Sequence, residues 1–341
     1  MTFNDVLEIK NGQNQKRVEN PDGKYPIYGS GGIIGYADEY ICEANTVIIG
    51  RKGSINNPIF VEEPFWNVDT AFGLTPKAEV LEPRYLYYFC RHFDFEKLNK
   101  AVTIPSLTKS DLLKINIILP SLETQVKIED KLFRIEQIIE MRKRELQNVN
   151  DLIKARFVEM FGDICNEDTL SNLCNIIDYR GKTPEKTKEG FPFITAKNIK
   201  MHQMNMEPQE YISKETYDRV MVRGFPKEGD VVFTTEAPLG NVCRIPHFDT
   251  KFYIGQRIVT LQTEKLEPAY LEYALSSCNF KRKYMEKASG STVIGIRVKL
   301  LEQLTIPVPP IESQNQFAAF VAQIDKSKVA DYITIKNSHL T

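Results

Sequence analysis

LEPRYLYY occupies residues 81–88, and LEPAYLEY occupies residues 266–273. Six of the eight letters agree, 185 residues apart. Either phrase alone reads as a helix start followed by aromatics, because proline suits the first helical position, where its missing N–H is an orphan anyway. Written twice, the phrase calls for a search for a longer repeat. Upstream, NTVIIGRKGSI (45–55) aligns with GDVVFTTEAPLGNV (229–242), each a short buried strand and a loop containing Gly-x-β-branched. Downstream, ILPSLETQ (118–125) aligns with PVPPIESQ (307–314), now at an offset of 189. Matching order on both sides makes the chain two copies of one unit. Each copy starts with strands and turns (25–35 and 180–200), then runs through buried strand, LEP helix and small-residue loop (103–106 and 289–292). A Pro-marked entry to a polar helix closes it. Period-2 stretches such as 231–234 and 258–261 fit strands, so each copy is expected to be an α+β domain.

Between the copies, residues 121–161 contain neither Pro nor Gly until Gly162. A 4-3 spacing runs through Ile128, Leu132, Ile135, Ile139, Arg142, Leu146, Val149, Ile153, Arg156 and Met160, and eight of these ten are apolar. Such a seam predicts a coiled-coil helix, about 60 Å long at about 1.5 Å per residue, ending at Gly162. So large an apolar seam needs a cover. Phe317, Val321 and Ile324 match Ile128, Leu132 and Ile135 at the 189 offset, but the heptad stops after Lys328. The reading is therefore a first domain over 1–120, a long helix over 121–162, and a second domain over 163–310. A shortened second helix over 311–330 and a divergent tail over 331–341 follow. The uncovered stretch near 146–160 is expected to face another subunit, with self-association through it as one route. Arg142 and Arg156 either set register there or point to solvent.

Bulk properties narrow the class. A chain of 341 residues with 42% hydrophobic content can fill two cores. It has no run of 18 apolar residues to span a membrane, and MTFNDVLEIKNG lacks the basic and apolar regions of a signal peptide, so a cytoplasmic location is expected. Six scattered cysteines without CxxC and four histidines make neither a zinc site nor a disulfide frame, so no metal is expected. Net charge is −1, and neither half is basic overall: 13 Lys+Arg against 15 Asp+Glu in 1–120, and 20 against 19 in 163–310. An anionic partner must be met by local patches.

With its tandem domains and helices, the chain resembles the DNA-specificity subunit of type I restriction–modification systems. YPIYGSGGIIGY (25–36), GRKGSI (50–55), NVDTAF (67–72) and ILPSLETQ carry the resemblance in the first copy. RGKTP (180–184), FITAKNI (193–199) and IPVPPIESQ (306–314) carry it in the second. The resemblance implies an α+β fold in which two tandem α/β target recognition domains are joined by long antiparallel coiled-coil helices, with a pseudo-two-fold internal repeat. It implies that each domain reads half of a split double-stranded DNA sequence and that the helices act as a ruler. Two methyltransferase subunits and the restriction subunits would dock on this frame, bringing S-adenosylmethionine, ATP and Mg²⁺ with them. The chain itself would hold no cofactor and catalyse nothing.

A DNA reader needs cations for phosphates and planar polar side chains for base edges. The first copy offers Lys10, Asn11, Ser30, Arg51 and Lys52 around the Gly29–Gly32 turn, which otherwise reads as a tight turn alone. The second offers Arg180, Lys182, Thr183, Lys186 and Lys188, then Lys197 and Asn198, and the basic run of Lys281, Arg282 and Lys283. Arg180–Lys188 is the strongest phosphate candidate, whereas Lys281–Lys283 reads equally well as a solvated face. The aromatics at 85–89 read as core, and Trp66 packs either inside the domain or against a groove. Catalytic alternatives fail on motif. Pro309-Pro310 lies between Val308 and Ile311, not in an [DN]PP[YF] loop, no GxGxxG occurs, and Glu129-Asp130-Lys131 falls on the long helix, where consecutive side chains diverge. The rival from another class is an assembly adaptor whose repeat domains bind proteins and ignore DNA.

Overall fold

The computed structural model describes residues 1–100, 104–181 and 184–338, those from 327 onward as backbone alone. Two compact units divide the chain, Met1–Lys143 and Arg144–Thr341. The first contains α1 (Phe3–Val6), β1 (Leu7–Asn11), β2 (Tyr25–Gly29), β3 (Gly32–Ala37) and β4 (Thr46–Gly50). It continues with β5 (Ile59–Val61), β6 (Trp66–Asn67), β7 (Ala71–Pro76), α2 (Pro83–His92) and α3 (Lys109–Leu112). The helix α4 (Leu122–Phe161) is 40 residues long and leads into the second unit. There follow β8 (Glu167–Thr169), α5 (Leu170–Leu173), β9 (Asn175–Asp178), β10 (Phe191–Ile194), β11 (Ile199–Lys200) and β12 (Gln203–Met204). Next come β13 (Tyr211–Ile212), α6 (Lys214–Val220), β14 (Val231–Thr234), β15 (Val242–Arg244), β16 (Tyr253–Ile254) and β17 (Ile258–Gln262). The chain closes with α7 (Pro268–Ser276), α8 (Cys278–Lys287), α9 (Val298–Leu301), β18 (Thr305–Pro307) and α10 (Ile311–Ser338).

The repeat expected from the paired phrases is present in the central and the smaller sheet of each unit. The first unit has an antiparallel sheet of order β1-β7-β4-β5, and the second has its counterpart, β9-β17-β14-β15. Thr46–Gly50 and Val231–Thr234 are buried throughout because these β-branched runs are covered on both faces. Each unit also has a small three-stranded sheet with one parallel pair: β3-β2-β6, with β2 along β6, and β13-β10-β16, with β10 along β16. The tight β2–β3 turn of the first unit is replaced in the second by a longer path carrying the β11–β12 hairpin.

The duplicated phrases are joined to each other by hydrogen bonds. Gln125 of ILPSLETQ is fully buried; its amide oxygen accepts from the Glu82 N–H (2.9 Å), and its amide nitrogen donates to the carbonyls of Val80 and Pro120 (3.0 Å each). Gln314 makes the matching bonds to the Glu267 N–H and the Pro309 carbonyl, each 2.9 Å. Tyr85 donates to the Ile118 carbonyl (2.9 Å), and Tyr270 to that of Pro307 (2.6 Å). Each LEP helix is thus clipped to the entry of the long helix that follows. The aromatics do core work: Leu86 is buried and Tyr85, Tyr87 and Phe89 pack against the same cluster. Trp66 packs inside the first unit, its indole N–H donating to the Gln13 carbonyl (3.0 Å).

The helical seam is corrected in part. Ile153, Phe317 and Val321 are buried in one cluster with Phe157, Phe161 and Tyr270, and Ile324 packs against it. Phe157 and Phe161 both meet Phe317, at 5.4 and 5.7 Å between ring centres. One face of the last two turns of α4 is therefore covered by its own unit, while Leu152 and Val158 on the other face are exposed, and the heptad count missed both phenylalanines. Ile128, Leu132 and Val149 are half-buried, while Ile135, Ile139 and Leu146 are exposed. Arg156 pairs with Glu159 of its own helix (2.7 Å). Gly162 is needed for space: a Cβ there would lie 2.6 Å from the Val158 carbonyl oxygen. The tail from 331, expected to be divergent, continues as helix to Ser338. Loss of a heptad removes a packing seam, and without Pro or Gly it does not remove helicity.

Candidate nucleic-acid interface

The clips lie at one end of each central sheet, and the candidate loops converge at the other, where β1 ends at Asn11 and β4 ends at Gly50. In the first unit the Arg51 N–H donates to the Thr70 carbonyl (2.8 Å), and the Arg51 carbonyl accepts from Leu107 (2.9 Å). Lys52 bridges Ser106. The Gly53 N–H donates to the Pro105 carbonyl (3.0 Å) at φ 81°, a conformation that glycine takes without strain. Ser30 closes the group, since a Cβ on Gly50 would approach its Cβ to 3.2 Å. Arg51 is exposed, its guanidinium near the Asp69 carbonyl (3.5 Å) and over Phe72 (5.8 Å).

The second unit repeats this frame with other side chains. The Thr235 N–H donates to the Arg257 carbonyl, the Thr235 carbonyl accepts from Ile296 (2.9 Å each), and Glu236 bridges Gly295. Arg180 joins the frame by donating to the Thr235 hydroxyl (3.1 Å). Arg223 donates to the Asp178 and Arg180 carbonyls (2.6 and 3.3 Å), bracing the loop from below. Burial pushes the Tyr179 hydroxyl up to about 12, so it stays a neutral donor, to the Gly224 carbonyl. Arg223 and Arg257 escaped the sequence reading because neither lies in a basic run. Aligning Thr70 with Arg257 as the residue before the last strand would have found the second.

Several candidates have other duties. The half-buried Lys10 ammonium donates to the Ile41 carbonyl (3.1 Å), while Asn11 is exposed. Asn198 is buried and spends its amide on Thr195, Asn205 and Pro208, at 2.9 to 3.1 Å, as the knot of its own loop. Asn198 thus has no amide group left for DNA. Lys197 is exposed; Lys186 pairs with Glu210 (2.8 Å). Lys281 and Arg282 are exposed on α8, Lys281 lining a cavity with Ala237, Pro238, Val293 and Ile294 beside the second frame, while Lys283 ties Glu167 (2.7 Å) and the Thr305 carbonyl (2.9 Å). The Gly31–Gly32 stretch is the tight hairpin turn, with Gly32 at φ 128° and open space around both glycines. Lys182, Thr183 and Thr103 lie outside the described residues. Among the described residues no group of three His, Cys, Asp or Glu side chains could hold a metal ion, and no helix is long and apolar enough to cross a membrane.

Comparison with known proteins places this geometry. Two Methanocaldococcus jannaschii chains are similar over most of its length. One, named for the type I restriction enzyme MjaX specificity subunit, is 26% identical over 77% of this chain and 65% of its own. The other, the type I restriction enzyme MjaVIII specificity subunit, is 23% identical over 84% of this chain and 74% of its own. The chain thus spans just under two thirds of the length of the first of these relatives. In fold it is similar to the crystal structure of the type I restriction–modification S subunit from M. genitalium, with a TM-score of 0.61 at 18% identity over 99% of this chain and 93% of that one. A family model described as the type I restriction modification DNA specificity domain matches residues 1–151 and 166–337, and the chain belongs to that family.

Proposed function

We propose that this chain is the DNA sequence-specificity subunit of a type I restriction–modification complex. The loop end of each unit binds one half of a bipartite double-stranded target, and the long helices set half-site spacing and dock two methyltransferase subunits and the restriction subunits. The chain contributes recognition and no catalysis; S-adenosylmethionine, ATP and Mg²⁺ belong to partner subunits in the cytoplasm. One observation carries the reading. Two loop frames have the same backbone hydrogen bonds, at Arg51 and at Thr235, but carry different charged side chains. A reader of two unlike half-sites needs a constant scaffold with variable edges, whereas an adaptor has no need of arginines clustered on glycine-rich loops.

A mobility-shift assay of the chain assembled with its methyltransferase partner tests this. Sequence-selective shifted complexes are expected, and Arg180→Ala should weaken them and reduce the salt slope by about one. Assembly with the partner but indifference to DNA sequence would overturn the reading in favour of an adaptor.

A further inference from the structure

One backbone position in each loop frame carries opposite charge. Lys52 follows Arg51 and bridges Ser106; Glu236 follows Thr235 and bridges Gly295. The two are structural counterparts, because the residue before each makes the same two backbone hydrogen bonds and each bridges the same neighbouring segment. Glu236 is out of place in a loop that grips phosphates. Its neighbours are cationic: Arg257 lies 3.0 Å from one carboxylate oxygen, and Arg180 reaches the adjacent Thr235. A carboxylate facing DNA is repelled by the backbone and is useful there as an acceptor for a base amino group. Arg257 offsets that repulsion and occupies Oε1, so Oε2 is the oxygen turned toward Gly295. A Cβ on Gly295 would lie 3.0 Å from the Glu236 Cβ and 3.4 Å from Oε2, so the glycine lets the neighbouring segment lie flat without displacing the carboxylate. Lysine at the counterpart position matches the acceptors N7 and O6 of guanine.

We infer that Lys52 and Glu236 are equivalent base-reading positions, Lys52 facing guanine in one half-site and Glu236 a base amino group, on cytosine or adenine, in the other. The inference rests on the half-site reading above and says what makes the halves differ. Lys52 is exposed and Glu236 half-buried at the loop surface, and neither belongs to a hydrophobic core, so substitution leaves the cores intact.

Methylation-motif mapping in cells that express the full chain with its modification subunit tests it. Glu236→Gln should change the preference at one base of one half-site by about tenfold, the scale of a single mismatched pair, with the other half-site unchanged. Lys52→Met should alter one base of the opposite half-site only. An unchanged motif in Glu236→Gln, or a uniform loss at all sites with the motif intact, overturns the inference while leaving the half-site reading in place. A wild-type chain that directs no bipartite motif, although it co-purifies with the modification subunit, overturns the half-site reading itself and the inference with it.

Discussion

Gln125→Leu tests the clip between the repeated phrases. Leucine matches the volume of glutamine but carries no polar atoms. The substitution leaves the Glu82 N–H and the carbonyls of Val80 and Pro120 without the bonds that Gln125 provides at 2.9 and 3.0 Å. A buried group left unpaired costs about 1–3 kcal/mol. Val80 lies near the surface and can regain water, so the lower end applies, about 3 kcal/mol for the three together. With a urea m-value of about 2 kcal/mol/M for a unit of this size, the unfolding midpoint should fall by about 1.5 M. The chain has a single tryptophan, Trp66, and it is buried in the first unit, so its fluorescence reports that unit alone. Gln314→Leu should leave the Trp66 transition in place and lower a second transition seen by circular dichroism. A Trp66 shift under about 0.3 M in Gln125→Leu would refute the clip. An equal Trp66 shift in Gln314→Leu would refute the independence of the two units.

Two further outcomes are expected. Phe317→Ala removes a fully buried ring that meets Phe157, Phe161 and Tyr273, and should destabilise the second unit by about 3–5 kcal/mol in the same denaturation experiment, with Trp66 unaffected. Brief alkylation of native protein followed by mass spectrometry should label the exposed Cys165 and Cys278. Cys42, Cys174 and Cys243, each pushed up to about 12 by burial, and Cys90, likewise raised by burial, should react only after denaturation.

Much of the architecture was legible because it was written twice. LEPRYLYY and LEPAYLEY located the two LEP helices, ILPSLETQ and PVPPIESQ located the entries to the long helices, and the absence of Pro and Gly bounded α4 almost to the residue. Pairing between the phrases was invisible, since nothing local says that Gln125 turns back to Glu82. The heptad reading failed where aromatic packing replaced it: Phe157 and Phe161 lie one turn apart on the buried stripe but off the 4-3 register. Site candidates chosen by charge and composition stand in different settings. Arg51, Lys52 and Arg180 lie in the loop frame, Lys10 donates to the Ile41 carbonyl, and Asn198 spends its amide on its own loop. Composition identifies residues able to bind an anion, but not the partners that have already claimed them.

The central sheet holds the clip at one end and the loop frame at the other, separated by strands of four to six residues. Mutations at the two ends therefore meet different fates. At the clip, a change of one amide atom strands buried polar groups and destabilises the unit. At the loops, Lys52 and Glu236 hang on backbone bonds that do not depend on their identity, so either can drift to another residue without unfolding the unit. The loop end of each unit can therefore change one residue at a time while the clip end holds its fold together.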